Sequence, residues 1–479
     1  MHRTRALAAL AAALAVGAGA VGGAVAFRPS SAPARQHQSG GGAPFHQPVP
    51  SEFRSMLGEM SSRNIETYIN KLVSFGTRQA LSSTTDPNRG IGAATSYVFD
   101  TLSDFAKASG GRMTVERQTF IQPASPDPND RIPRDTQMTN VIATLKGTQP
   151  ASTNRVLVVS GHLDSRCTGA IDAECDAPGA DDDGSGVAAM MEMARVMATH
   201  SFDATIKFMA VDGEEEGLYG SDHFAKDAKA QGMDIEAMLD NDIIGSSTGD
   251  AGQREPHVIR LFAEGVPTDE TPAQAATRIN VGGENDAPAR QLARYAKEVA
   301  ENSATDMNIR LIWRRDRYLR GGDQISFLQQ GYPAVRFTEP NENFDHEHQD
   351  VRVENGVQFG DLPQFMDFAF NNRVGRVNAL TLANLADAPA MPKNSRIITA
   401  NLTNDTTLRW NANTEPDLKG YEVVWRETTD AVWTHVIPVG NVTEFTAKGL
   451  SKDNVYFGVR AIDRAGNRSP AAFPVPAES

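Results

Sequence analysis

Val156-Leu157-Val158-Val159 and Ile206-Lys207-Phe208-Met209-Ala210-Val211 are two short apolar runs, each followed by a polar cluster. The first leads into Gly161-His162-Leu163-Asp164-Ser165 and then Gly179-Ala180-Asp181-Asp182-Asp183-Gly184-Ser185-Gly186. The second leads into Glu214-Glu215-Glu216-Gly217-Leu218-Tyr219-Gly220-Ser221. Between them, residues 187–198 (VAAMMEMARVMA) are rich in Ala and Met and read as a helix. Strand, helix and strand in that order make a right-handed crossover with parallel strands. Both polar clusters then lie at the carboxyl ends of neighbouring strands, where open α/β sheets hold their ligands. The expected fold is α/β, with a mostly parallel central sheet flanked by helices.

Around this unit there is room for two or three domains in 479 residues, of which 40% are hydrophobic. The net charge of -14 argues against a nucleic-acid partner. At the N-terminus, His2-Arg3-Thr4-Arg5 is followed by an uncharged run over residues 6–27 that includes Ala24-Val25-Ala26, a cleavage-type triplet. Residues 1–26 are read as a signal peptide, the alternative being a membrane anchor. The mature chain is expected to be secreted or periplasmic, with no membrane attachment after cleavage. Cys167 and Cys175, both in the loop joining His162 to Asp182, are expected to pair in that oxidising compartment. Free thiols or zinc ligands are the alternative, and nearer His and Asp candidates weigh against it. Residues 27–50, rich in Pro, Gly, Ser and Gln, form a linker or pro-segment.

Apolar spacing predicts helices over residues 52–75 and 94–102 and strands over 115–121 and 139–145. The sheet continues through 238–244, 309–313 and 334–337, and a helical run over 359–385 closes a unit spanning 51–387. Residues 245–288 form a Gly/Pro/Asp-rich insertion, and the stretch 245–310 is expected to build the substrate pocket. After a Pro-rich break at 386–394, six short alternating runs predict an all-β sandwich over 392–479. Leu408-Arg409-Trp410, Gly420-Tyr421-Glu422-Val423 and Tyr456-Phe457-Gly458-Val459-Arg460-Ala461-Ile462-Asp463 resemble a fibronectin type III module. Such a module implies spacing, or attachment to a surface or polymer.

Strand alternation points His162 and Asp164 the same way. Imidazole suits zinc, and a ligating His commonly gives its other ring N–H to a carboxylate, the place Asp164 occupies. One of Asp181, Asp182 and Asp183 can cap the following helix, but three adjacent acids repel, so at least one is expected to bind a cation. Glu214-Glu215-Glu216 repeats the pattern at the next strand end. Asp240-Asn241-Asp242 and Asp345-His346-Glu347-His348-Gln349-Asp350 follow later strands. Acids and imidazoles at successive strand ends point to a metal site.

Together these motifs, in this order, resemble the five signatures of the co-catalytic di-zinc aminopeptidase family typified by bacterial leucyl aminopeptidase; Phe75-Gly76-Thr77-Arg78 extends the match. The resemblance implies two Zn2+ ions bridged by Asp182. His162 and Asp242 would complete one ligand set, with Asp242 favoured over Asp240 by its spacing to Gly245. Glu215 and His346 would complete the other, with His346 favoured over His348 by its four-residue step to Asp350. Glu214 matches the family's general base, and Asp164 would orient His162. The Asp182–Asp183 bond is expected to be cis. Asp323, in Gly322-Asp323-Gln324, stands where the family has Ser-Asp-His, and Tyr318 is read as structural. The implied function is a secreted aminopeptidase acting on peptides with a free N-terminus. Alternatives on the same scaffold are carboxypeptidase action, cyclisation of N-terminal glutamine, or a non-catalytic binding ectodomain; the intact ligand set with Glu214 argues against the last.

Overall fold

Near-continuous apolar strands require cover on both faces, and the central sheet receives it from helices. The computed structural model describes residues 44–477; the expected signal peptide and most of the linker lie outside the described residues. Eight strands form one sheet: β1 (Met113–Gln122), β2 (Thr136–Leu145), β3 (Arg155–His162), β4 (Thr205–Val211), β5 (Asp234–Asn241), β6 (Val258–Phe262), β7 (Asn308–Ile312) and β8 (Ala334–Thr338). Their order is β1-β2-β4-β3-β5-β8-β6-β7. The pairs β4–β3, β3–β5, β5–β8 and β6–β7 are parallel, and β1–β2, β2–β4 and β8–β6 antiparallel. Every residue of β3 is buried. Its carboxyl end, and those of β4 and β5, therefore open side by side.

The crossover helix Gly184–Met197 is buried except at Arg195, consistent with its Ala- and Met-rich composition. It approaches the sheet so closely that a Cβ on Gly186 would lie 2.1 Å from the Asn241 carbonyl oxygen. Only glycine fits there. Helix Phe368–Asp387 packs across it and completes the apolar core with Phe370, Val374, Val377 and Leu380. The stretch read as an insertion is partly sheet. Residues 258–262 form β6 between β7 and β8, and Arg260, which breaks the apolar pattern, is satisfied by donating to the Glu339 carbonyl and pairing with Glu342.

Beyond residue 392, strands lie in sheets of four and three, a β-sandwich filled by Leu408, Trp410, Tyr421, Val423, Phe457 and Val459. Buried ion pairs dock it on helix Pro288–Ala300 and the turn just before it. Arg426 Nη2 reaches both carboxylate oxygens of Asp286, at 3.0 and 3.1 Å, and Arg460 Nη1 lies 2.6 Å from Glu298. Both Asp286 and Arg426 are withdrawn from solvent, and Asp286 also meets Arg294 at 3.3 Å and Gln291 at 3.0 Å, so losing Arg426 leaves its charge partly matched. Arg426→Met is expected to cost about 2 kcal/mol of stability, less than breaking an isolated buried pair. Urea unfolding checks this, and an unchanged midpoint would show that the pair contributes nothing net.

Candidate metal centre

Loops following the central strands bring their polar groups to one point. β3 ends at buried His162, and the Asp181–Asp183 loop folds back onto it. Asp183 accepts the His162 backbone N–H and, through its other oxygen, the Gly186 N–H, each at 2.9 Å. It thereby caps helix Gly184–Met197. Asp181 accepts the Gly245 N–H at 2.7 Å, which leaves Asp182 to face the strand ends. The Asp182–Asp183 bond is cis. Asp361, which the sequence motifs did not single out, accepts the N–H groups of Asp181 at 2.9 Å and Asp182 at 2.8 Å.

Asp242 lies one residue past β5, and its carboxylate is 2.9 Å from Nη2 of Arg336, a fully buried guanidinium on β8. Arg336 was also missed; its only trace is a charge inside the apolar run Ala334-Val335-Arg336-Phe337. After β4, the short helix Glu214–Gly217 begins with its first two N–H groups donated to Asp164, at 3.2 Å from Glu214 and 2.9 Å from Glu215. The Asp164 carboxylate stands 3.6 Å from His162 Nδ1, beyond hydrogen-bond range, while the Asp164 carbonyl oxygen is at 3.2 Å. Asp164 thus meets the ring through its carbonyl and, at ion-pair distance, its carboxylate, which also anchors the turn carrying Glu214 and Glu215.

Two trios of donors result, each with atoms within 4.8 Å of one another: His162, Asp182 and Asp242, and Asp182, Glu215 and His348. His162 Nε2 lies 2.9 Å from Asp182 Oδ1 and 3.9 Å from Asp242 Oδ1. His348 Nε2 lies 2.9 Å from Asp182 Oδ2 and 2.9 Å from Glu215 Oε1. His162 Nε2 and Glu215 Oε1 are buried, and neither has a partner in hydrogen-bond alignment. Close but misaligned donors are what a shared divalent cation would satisfy, and one imidazole with two carboxylates suits zinc. Burial alone would lower the His348 pKa, but Glu215 and Asp182 overcome this and raise it to about 10. Burial likewise opposes the Asp182 carboxylate, yet His348 and His162 hold it well below the ordinary range.

His346 is not in either trio, contrary to expectation. Its ring stacks on Phe365 with centroids 3.6 Å apart, outside the cluster. Asp350 misleads because it serves the loop rather than the centre: it exchanges two 3.2 Å hydrogen bonds with Thr168. Thr168 follows Cys167, which is disulfide-bonded to Cys175. The bridge and this bond pair thus fix the loop just past His348. Asp240 is buried beneath the centre and accepts from Ser160 at 3.3 Å. Asp323 is buried, with both oxygens unpartnered. Tyr318 is 80% exposed, under the Arg314 guanidinium.

Above the donors lies a pocket of about 460 Å³, lined by Glu214, Leu218, Ile243, Leu319 and His348 among others. The stretch 245–310 does not line it; Arg131, Arg166, Arg317 and Leu319 to Gly321 do, which corrects the expected pocket wall. Among the described residues, four of the seven non-glycine residues with positive φ, namely Leu218, Ile243, Leu319 and His348, line this one pocket. Backbone strain of this kind concentrates at functional sites. Glu214 sits at the wall beside the trios, and burial raises its carboxyl well above the ordinary value; His162 opposes the shift, and Asp242 and Glu215 add to it.

A "Probable zinc metalloprotease" of Pyrenophora teres f. teres is 50% identical over 433 residues, covering 90% of this chain and 88% of that protein. A second relative, from Leptosphaeria maculans and also named a probable zinc metalloprotease, is 49% identical over 431 residues, covering 90% of this chain and 98% of that protein. The Peptidase family M28 model matches residues 140–354. The chain belongs to that family. That span contains both donor trios and Glu214, and it ends before the β-sandwich. The crystal structure of Legionella pneumophila LapA aminopeptidase superposes with a TM-score of 0.48 at 18% identity, covering 71% of this chain and 76% of that one. As an M28 member the chain is an enzyme of the peptidase class.

Proposed function

We propose that the chain is an exported, zinc-dependent exopeptidase that removes N-terminal residues from peptides, with Glu214 as its general base. One observation carries this reading: two donor trios, buried except for the half-buried His348, share Asp182, and Glu214 stands beside them on the pocket wall. One zinc would be held by His162, Asp182 and Asp242, the second by Asp182, Glu215 and His348. Zinc bound in such sets polarises the scissile carbonyl and lowers the pKa of the attacking water.

The chain's own residues do the rest. Glu214 takes the proton from the water and returns it to the leaving amine; burial raises its carboxyl above the ordinary value, which strengthens it as a base. Asp164 fixes the Glu214 and Glu215 backbones, so that one acid serves as base and its neighbour as ligand. Asp361 secures the backbone of Asp182, and Arg336 offsets the charge on Asp242. A pocket of about 460 Å³ suits a chain end better than a folded loop. The disulfide supports export to an oxidising compartment. The sandwich, with Trp410 packed on Tyr421 as in a fibronectin type III core, is proposed as an attachment module.

Alanine and leucine anilides, free and N-acetylated, test the reading on the zinc-loaded protein before and after treatment with 1,10-phenanthroline. Hydrolysis of the free-amine substrates alone, lost on chelation and restored by zinc, is the expected result. Failure to hydrolyse any free-amine substrate, or equal cleavage of the blocked ones, would overturn it.

A further inference from the structure

Four guanidinium groups line the pocket: Arg131, Arg166, Arg317 and Arg320. Two are neutralised within the protein. Arg317 pairs with Asp316 at 3.0 Å and Glu342 at 3.1 Å, and Arg320 pairs with Glu342 and, at 3.0 Å, with Glu347. The other two are less fully matched. Among the described residues, Arg131 donates to the Glu215 carbonyl oxygen and pairs with no carboxylate. Arg166 has one loose ion pair, its Nε 3.6 Å from Glu215 Oε2 and without an aligned hydrogen bond. Each guanidinium therefore keeps donors that the protein does not fill. Both groups flank Glu215, one at its backbone and one at its side chain, and the Glu215 carboxylate already faces His348. A further carboxylate would satisfy their planar donor edges, whereas an ammonium group would be repelled.

We propose that Arg131 and Arg166 form an anion subsite that seats a carboxylate of the peptide substrate. This rests on the peptidase reading above. Because both arginines touch the residue after Glu214, the carboxylate belongs to a residue flanking the cleaved bond. It is either the α-carboxylate of a dipeptide or an Asp or Glu side chain.

The zinc-loaded full chain is assayed on Ala-Leu, Ala-Glu-amide and Glu-Leu-amide, with Ala-Leu-amide as the neutral reference. At least one carboxylate-bearing substrate is expected to exceed the reference roughly tenfold in kcat/KM, and which one does so identifies the source of the carboxylate. Arg166→Met and Arg131→Met should each bring that ratio toward one, and Arg166→Lys should keep part of it. If the arginines only brace Glu215, the Met variants lower all four substrates alike and the ratio stays, which overturns the proposal. Calorimetric binding of the same four peptides to Glu214→Gln protein, with and without Arg166→Met, reads the subsite without turnover. If none of the four is hydrolysed, the peptidase reading fails, and binding still tests the subsite. If all are hydrolysed and bound equally, the subsite alone falls.

Discussion

Replacing Glu214 by Gln is expected to lower kcat about a hundredfold to ten-thousandfold, the range a positioned general base contributes. The change is nearly isosteric, and the backbone N–H that binds Asp164 remains. The helix Glu214–Gly217 should therefore keep its place, and Glu215 should still face His348. Glu214 belongs to neither donor trio, so zinc content should match that of the unaltered chain. The amide that replaces the carboxylate can donate or accept a hydrogen bond but cannot take up a proton near neutrality. Loss of turnover with zinc content and KM little changed would place the defect in proton transfer. Unchanged turnover would show that the base is elsewhere. Loss of zinc together with activity would instead make Glu214 a ligand.

What the sequence made legible follows from periodicity. His162, Asp182, Glu214, Glu215 and Asp242 each stand just after a strand or at a helix start, so the strand pattern alone brings them to one edge of the sheet. Residues whose roles depend on loop conformation or long-range pairing were not legible. Asp361 reaches Asp182 across 179 positions, and nothing local marks it. Arg336 sits in a five-residue strand where a lone charge can as well be a flaw in the pattern as a partner for Asp242. The 245–310 stretch looked like a pocket wall because it is long and rich in turn residues. It instead holds β6 and the helix that docks the sandwich. The two cysteines, by contrast, were readable from their shared loop, and they are bonded.

The choice between two imidazoles in Asp345-His346-Glu347-His348 is the sharpest case, and it yields the second large effect. Spacing along a loop does not fix direction; the backbone does. His348 adopts φ +53° and turns toward Asp182 and Glu215, while His346 lies in the preceding turn, its N–H donated to the Asn343 carbonyl, and stacks on Phe365. His348→Ala should therefore remove the only nitrogen donor of its trio and leave two carboxylates facing each other. Changing a residue that merely supports a ligand costs ten- to a hundredfold in metal affinity, so losing the ligand itself should cost at least about a hundredfold. On the proposed two-zinc reading, zinc content is expected to fall from two ions to one, with activity falling in step. His346→Ala forfeits only a ring contact, about 1 kcal/mol of stability, and should keep both ions. Competition titration with a chromophoric chelator measures the affinities, and zinc analysis of each variant counts the ions. The opposite pattern, with His346→Ala losing an ion and His348→Ala retaining two, would restore the assignment that spacing suggests and require this loop to turn the other way.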